Sequence, residues 1–261
     1  MSTRTASPIA NPTANAAAVR TAKPRASSLA QWIAAFDWAT AQQDLDDRGY
    51  ARLPALLGAA DCRELVECFG DESLFRSVIE MERYRFGQGD YRYFDNPLPP
   101  RIRALREQLY PPLAEIANRW QERLASTPRY PPDLDEFLLR CHEAGQTRPT
   151  PLMLHYVEGG YNCLHQDRYG DVAFPLQVVI LLSRPGVDFQ GGELLLTEQR
   201  PRRQSRGEAI SLSQGDGLLF PNQQRPVQGA RGPARATMRH GLSRLHAGER
   251  FALGIIFHDA E

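Results

Sequence analysis

The sequence contains almost no lysine. Lys23 is the only one among 261 residues, so arginine carries nearly all of the positive charge. Basic and acidic residues number 31 each, which gives a formal net charge of zero. A chain without net positive charge has no overall field that attracts nucleic acid or an anionic membrane. An arginine cluster in this sequence therefore needs further support before it is interpreted as a binding surface.

Cysteine pairs and long apolar runs are missing as well. No two cysteines have the CxxC spacing of a zinc or redox site, and the chain does not resemble a small secreted disulfide framework. No apolar run is long enough to cross a bilayer. These absences predict a cytoplasmic protein with reduced thiols and no membrane-spanning segment. The cysteines are Cys62, Cys68, Cys141 and Cys163.

Acidic residues are absent from the first 28 positions, which are rich in Ala, Ser, Thr and Pro. Such a segment buries too little apolar surface to offset its chain entropy, so residues 1–28 are predicted to be a disordered tail. The tail lacks the apolar core of a secretory signal. Arginines without acids are also typical of an organellar transit peptide, and this alternative stays open.

Apolar residues at helical spacing dominate residues 29–135. The spacing predicts helices over about 28–47, 60–69 and 99–124, and Pro111-Pro112 predicts a kink or a split in the last of them. We expect these helices to buttress one face of a β core and not to form an independent domain.

Short apolar runs separated by glycine turns dominate residues 136–261. This pattern predicts a jelly roll, also called a double-stranded β-helix. Together with the N-terminal helices that buttress it, this core gives an α+β fold. The predicted strands cover 137–140, 151–157, 174–183, 192–197, 208–212, 217–220, 240–245 and 250–257.

The stretch from Leu152 to Asp167 has the pattern of a strand, a Gly-Gly turn and a second short strand. His165 and Asp167 are two residues apart, so on a strand their side chains project from one face. Two such ligands leave the other side of a metal ion open, and a third must come from elsewhere in the chain. His240 is the best candidate, and His246 competes with it. Two histidines and one carboxylate with free coordination positions are the arrangement of non-haem Fe(II) oxygenases.

Further motifs accompany these residues in a fixed order, and with them the sequence resembles the Fe(II)/2-oxoglutarate-dependent dioxygenases, especially their prolyl-hydroxylase-like members. The motifs are Tyr156 and Gly159 ahead of His165, the run Gly191-Gly192-Glu193-Leu194, the turn from Gly215 to Phe220, and Arg250 after His240.

The resemblance implies Fe(II), 2-oxoglutarate and O2 as cofactors and hydroxylation of a C–H bond as the reaction. It implies that His165, Asp167 and His240 bind the iron, because the family spacing of about ten residues before the arginine selects His240 over His246. Arg250 is then the residue for the far carboxylate of 2-oxoglutarate, which its planar fork binds through both oxygens. Tyr156 is expected to donate a hydrogen bond to the same cosubstrate.

Over roughly residues 30–261 the sequence also resembles a bacterial oxygenase family associated with oxidative demethylation of damaged DNA. The resemblance rests on the run from Phe86 to Asp95 and on the segments PLPPRIRALREQLYPPLAEIANRW, LLRCHEAGQTRPTPLMLHY and LGIIFHDA.

The substrate stays open between two classes. Residues 200–239 contain eight arginines and two acids, and residues 83–95 interleave arginines with aromatics, which favours a nucleic acid whose phosphates and bases they contact. The alternative is an amino acid, a peptide or a small molecule. A jelly-roll binding protein without catalysis is disfavoured by the complete ligand set.

Gln177, a polar residue in the run FPLQVVILL, needs a partner and is a candidate pocket residue. The sequence leaves the oligomeric state open.

Overall fold

The computed structural model describes residues 28–127, 129–167, 169–229 and 231–261. The predicted disordered tail, apart from Ser28, lies outside the described residues. Among the described residues, no helix is both long and apolar enough to cross a membrane.

Helices dominate the first half of the chain and fall mostly where apolar spacing predicts them. The α-helices of the described residues are α1 (Leu29–Ala35), α2 (Trp38–Arg48), α3 (Ala59–Cys68), α4 (Met81–Tyr84), α5 (Pro100–Arg123) and α6 (Leu134–Glu143).

Two helix predictions and one strand prediction need correction. The expected helix over 28–47 is interrupted, because Phe36 is extended and the Asp37 side chain caps a new helix by accepting the Thr40 N–H. Helix α5 is not split at Pro111-Pro112, because the buried stripe on both sides of them packs as one surface. The strand predicted over 137–140 is part of α6, since a short apolar run does not distinguish a strand from a buried helix.

The strands form two antiparallel sheets. The strands of the described residues are β1 (Ala51–Leu53), β2 (Phe75–Glu80), β3 (Gly87–Gln88), β4 (Asp90–Phe94), β5 (Leu152–Val157), β6 (Tyr161–His165), β7 (Leu176–Leu181), β8 (Phe189–Gly191), β9 (Leu194–Gln199), β10 (Arg206–Ile210), β11 (Gly217–Pro221), β12 (Gln224–Gly229), β13 (Gly232–Leu242) and β14 (Leu245–Ile256). The larger sheet has the order β1-β11-β7-β14-β5-β4-β2, and the smaller sheet has the order β10-β9-β13-β6-β3. In addition, β8 pairs with β14, and β12 pairs with β13.

Side-chain alternation along the central strand β7 separates two apolar layers. Val178 and Ile180 belong to the cluster that the larger sheet shares with α5, whose buried stripe includes Leu105. Val179 belongs to the second cluster, together with residues of the smaller sheet such as Leu194. The helices therefore cover the outer face of the larger sheet, and the inner faces of the two sheets pack against each other. This is the arrangement of the predicted jelly roll.

The N-terminal region also adds strands to both sheets. Strand β1 pairs with β11, β4 pairs with β5, and β3 pairs with β6. The division predicted between residues 135 and 136 falls inside α6. Residues 29–135 thus supply sheet edges as well as helices.

His258 lies buried just beyond β14. Its Nδ1 accepts the backbone N–H of Phe174 at 3.2 Å, so the ring proton is on Nε2. Burial and the nearby Arg106 guanidinium lower the pKa of His258 to about 4, so the ring is neutral at neutral pH. The buried pair of Arg106 and Asp259 then connects α5 to this end of the larger sheet at 2.6 Å.

Candidate active site

The side chains of His165, Asp167 and His240 meet between the two sheets. His165 ends β6, and β13 places His240 directly opposite it in antiparallel register. Asp167 lies two residues beyond the end of β6. One ligand atom from each residue lies within 4.8 Å of the other two, a group able to hold a metal ion. The structure therefore brings the three predicted ligands together.

The donor atoms point toward a common centre. Nε2 of His165 lies 3.6 Å from one carboxylate oxygen of Asp167, and Nε2 of His240 lies 3.2 Å from the other. The Nδ1 of His165 is 2.8 Å from the Cys163 carbonyl, which can only accept, so Nδ1 carries the proton and Nε2 has a free lone pair. Nδ1 of His240 is buried without a partner among the described residues. Two imidazoles and one carboxylate of this kind fit Fe(II).

The protonation states also suit a metal ion. Burial and the neighbouring His240 imidazole lower the pKa of His165, which keeps its ring neutral. Burial alone would raise the pKa of Asp167, but the two imidazoles and the Gln177 amide hold it well below its usual range. The site thus offers a neutral imidazole at His165 and an ionised carboxylate at neutral pH, the forms in which these groups bind metals.

Two side chains orient the carboxylate of Asp167. Tyr169 donates its hydroxyl to one oxygen at 3.0 Å, and Gln177 donates its amide to the other at 2.7 Å. Tyr93 in turn lies 3.0 Å from the Tyr169 hydroxyl. Gln177 thus has the partner that its place in an apolar strand requires. Such outer contacts fix the geometry of a metal ligand.

Replacing Gln177 with leucine is expected to weaken metal binding roughly 10- to 100-fold, because the Asp167 carboxylate loses the amide that orients it. The measurement is the dissociation constant for Co(II) by isothermal titration calorimetry. The Gln177→Glu variant should bind no better than Gln177→Leu, since a second carboxylate repels the first. The control is Gln204→Leu, an exposed position outside the site. An unchanged Co(II) affinity in Gln177→Leu would show that Gln177 only packs in the strand and does not orient Asp167.

The three residues line a cavity of about 430 Å³. Arg250 of β14 also lines this cavity, six residues before Ile256, which pairs with Gln177. Tyr91, Tyr93, Leu152, Leu154 and Tyr169 add an aromatic and apolar wall.

Arg250 is a buried cation with room for an anionic partner. Its Nε has no hydrogen-bond acceptor, and no ion pair involves its guanidinium within the described part of the chain. Burial lowers the pKa of Arg250 to about 10, against the opposing effects of Tyr156 and Glu193, so the side chain stays protonated at neutral pH. Burying an unpaired cation costs free energy. A carboxylate that accepts hydrogen bonds from two nitrogens of the guanidinium offsets that cost.

Tyr156 lies beside Arg250. The two residues pair across β5 and β14, and both line the cavity. The Tyr156 hydroxyl accepts the Asn162 amide at 3.4 Å, and its own proton is free to donate. Burial raises the pKa of Tyr156, so the hydroxyl stays protonated. Gly192 of the Gly-Gly motif also borders Arg250, since a Cβ built there would lie 3.2 Å from the arginine Cδ.

Other predicted residues lie elsewhere. His246 is exposed and is not part of the three-residue group, so the structure places His240 and not His246 with the ligands. None of the described residues in 200–239 lines the cavity. Within that stretch Arg225 is buried, and both it and Arg200 bond to Glu198 at 2.7 Å. The structure therefore does not support a phosphate-binding rim built from this stretch beside the metal.

Sequence reasoning predicted Tyr156 but missed three other tyrosines of the site. Tyr169 and Tyr93 form the hydrogen-bonded chain to Asp167, and Tyr91 lines the same wall. The available signal was the position of Tyr169 two residues after Asp167, together with the aromatic run around Tyr93. A hydrogen bond between two segments 76 residues apart has no sequence pattern of its own.

The chain is similar to several known proteins. Residues 89–260 match the pattern of a family described as "Oxygenase, catalysing oxidative methylation of damaged DNA". An uncharacterized protein of Mycobacterium tuberculosis, in strains CDC 1551 and H37Rv, is 52% identical over 167 residues, which cover 64% of this chain and 72% of that protein.

Two solved structures share the fold. A Pseudomonas putida prolyl-4-hydroxylase aligns with a TM-score of 0.50 and 15% identity, over 86% of this chain and 100% of that one. The non-heme α-ketoglutarate-dependent epimerase SnoN from nogalamycin biosynthesis aligns with a TM-score of 0.51 and 14% identity, over 83% of this chain and 80% of that one. The predicted double-stranded β-helix is confirmed.

The family match spans most of the described β core and includes all three residues of the metal-binding group. One of the two solved structures is of an α-ketoglutarate-dependent enzyme, and His165, Asp167 and His240 of this chain form a group that could hold a metal ion. The enzyme class predicted from the sequence is confirmed as well. The chain belongs to the oxygenase family described as acting on damaged DNA, and it is an oxygenase built on a double-stranded β-helix.

Proposed function

We propose that this oxygenase binds Fe(II) through His165, Asp167 and His240 and binds 2-oxoglutarate through Arg250 and Tyr156. One observation carries the proposal: three side chains able to hold a metal ion and a buried guanidinium without an ion pair among the described residues line the same cavity. The guanidinium is suited to the far carboxylate of the cosubstrate, because both oxygens fit its planar fork.

The residues of the chain have separate tasks in this reaction. The bound iron and 2-oxoglutarate together supply the oxidising chemistry, in which O2 is consumed and succinate and CO2 are released. Tyr169 and Gln177 hold the Asp167 carboxylate in one orientation. Tyr156 donates a hydrogen bond from its hydroxyl to the cosubstrate, which Arg250 would anchor. The apolar wall with Leu154 excludes water from the reacting carbon.

For the substrate we favour a modified nucleic acid, as the family description of damaged DNA supports. Hydroxylation of an N-methyl group gives an N-hydroxymethyl product, which breaks its C–N bond to release formaldehyde and the N–H form of the base. The alternative is a prolyl-hydroxylase-like reaction on an amino acid, a peptide or a small molecule, in which the hydroxyl group stays on the carbon. The two reactions differ in whether formaldehyde is released.

The test is to incubate the purified protein with Fe(II), 2-oxoglutarate and a panel of N-methylated oligonucleotides, and to quantify succinate and formaldehyde. We expect formaldehyde from at least one oligonucleotide, in a ratio to the coupled succinate of about one to one. The control is the Asp167→Ala variant, which lacks a proposed ligand. Succinate that rises with a proline-containing peptide, accompanied by a hydroxylated peptide and no formaldehyde, would instead establish the alternative.

A further inference from the structure

An exposed pair of aromatic side chains lies at the mouth of the cavity. Tyr84 is 56% exposed and Phe86 is 47% exposed, and their rings stack with centroids 5.5 Å apart and planes 19° apart. Phe86 also lines the cavity that contains the metal-binding group. Stacked rings of this size in water leave apolar surface uncovered, which indicates a surface that binds a partner.

Arg85 lies between the two rings in sequence and adds a free cation to this surface. Its side chain is exposed, it lines the cavity mouth, and within the described residues its guanidinium has no ion pair or hydrogen bond. The residue has a left-handed backbone with φ of 60°. Its neighbour Arg83 differs, because it forms an ion pair with Glu80 at 2.6 Å.

The surface continues along β3, the edge strand of the smaller sheet. Phe86 accepts the backbone N–H of Cys163 at 2.8 Å, which fixes the aromatic pair next to Leu164, itself 45% exposed. Farther along, the exposed Arg244 lies over the ring of Tyr161 at 4.9 Å. Tyr161 pairs with Gln88 of β3, so this second arginine–aromatic contact also lies at the edge of the smaller sheet.

We propose that a single strand of nucleic acid docks on this edge, with a base stacked on the Tyr84–Phe86 pair and a phosphate on Arg85, next to the nucleotide that enters the cavity. The assignment rests on the proposed function and names the surface that would present the substrate. Flat ring faces bind any base, and a free guanidinium binds a phosphate oxygen pair. An uncharged peptide strand would leave the Arg85 guanidinium without an anionic partner.

The first experiment measures binding of a fluorescein-labelled oligothymidylate by fluorescence anisotropy at low salt. We expect Phe86→Ala to weaken binding about 10-fold, the loss of one stacked base. We expect Arg85→Ala to weaken binding as well. It should also reduce the magnitude of the slope of log Kobs against log salt concentration by about 0.7, which corresponds to the loss of one phosphate contact. Thermal melting checks that both variants are folded.

Matched controls come from surfaces away from the cavity. Arg202 is an exposed arginine with φ of 61°, so Arg202→Ala removes a similar side chain from a similar backbone. Val187 is 70% exposed, so Val187→Ala removes exposed apolar surface elsewhere. Both variants should bind the oligonucleotide as the wild type does. Equal losses in the controls and in Phe86→Ala, or a wild type that binds a peptide but no oligonucleotide, would overturn the proposal.

A variant of a proposed metal ligand distinguishes this proposal from the proposed function. His240→Ala is expected to lose Fe(II) binding and to keep oligonucleotide binding within about 2-fold, because His240 lies inside the cavity and not on the edge. Absent oligonucleotide binding with intact succinate formation rejects the docking surface alone. Oligonucleotide binding that depends on Phe86, with no succinate formation, supports the docking surface and rejects the proposed function.

Discussion

Replacing His240 with alanine is expected to lower the affinity for Fe(II) by more than about 100-fold and to abolish turnover. The residue supplies one of three donor groups that lie within 4.8 Å of one another. Loss of an outer contact to a ligand alone costs roughly 10- to 100-fold, and loss of the ligand itself exceeds that. Anaerobic titration with Fe(II), followed by calorimetry, measures the effect directly.

The matched control is His246→Ala. This histidine lies in the same part of the sequence but is exposed and outside the metal-binding group, so its variant should bind Fe(II) as the wild type does. The pair of variants decides between the two histidines that sequence reasoning left in competition. Loss of iron in His246→Ala with retention in His240→Ala would show that the third ligand is assigned to the wrong residue.

Replacing Arg250 with leucine is expected to raise the KM for 2-oxoglutarate roughly 100-fold. A bidentate contact contributes two charge-assisted hydrogen bonds, and even a net loss of about 3 kcal/mol changes binding by that factor. Arg250→Lys should fall between leucine and the wild type, because lysine keeps the charge without the planar fork. Succinate formation as a function of 2-oxoglutarate concentration gives the KM values.

A ligand control isolates the carboxylate contact. 2-Oxobutyrate has the oxoacid end of the cosubstrate but no far carboxylate, so its inhibition constant should be nearly the same for the wild type and for Arg250→Leu. A similar loss of affinity for both oxoacids would mean that Arg250 acts on the shape of the cavity. An unchanged KM for 2-oxoglutarate would remove Arg250 from the cosubstrate site.

The local part of the site was predictable from the spacing of two residues between His165 and Asp167, which on a strand would place both side chains on one face. In the structure β6 ends at His165 and Asp167 lies just beyond it, yet the two side chains still come together. The third ligand was different. Spacing alone did not separate His240 from His246, and the family resemblance was needed to choose. The antiparallel pairing of His240 with His165 is a long-range contact that no local pattern encodes.

The strands of the N-terminal half were the larger omission. Residues 75–94 contribute β2, β3 and β4, which the sequence showed only as a mixture of arginines and aromatics. Tyr91 and Tyr93 face the cavity, while Arg92 lies over the Phe69 ring at 3.8 Å. Alternation of this kind is hidden when both faces of a strand carry large polar or aromatic side chains, because hydrophobicity no longer marks the buried face.

The most direct measurement is succinate formation from 2-oxoglutarate by the purified protein, with and without added Fe(II) under air. The proposed site predicts slow succinate formation without substrate that requires both Fe(II) and O2 and is lost in Asp167→Ala. Succinate formation that persists in Asp167→Ala, or a wild type that binds Fe(II) and 2-oxoglutarate yet forms no succinate even with the substrate panel, would contradict it.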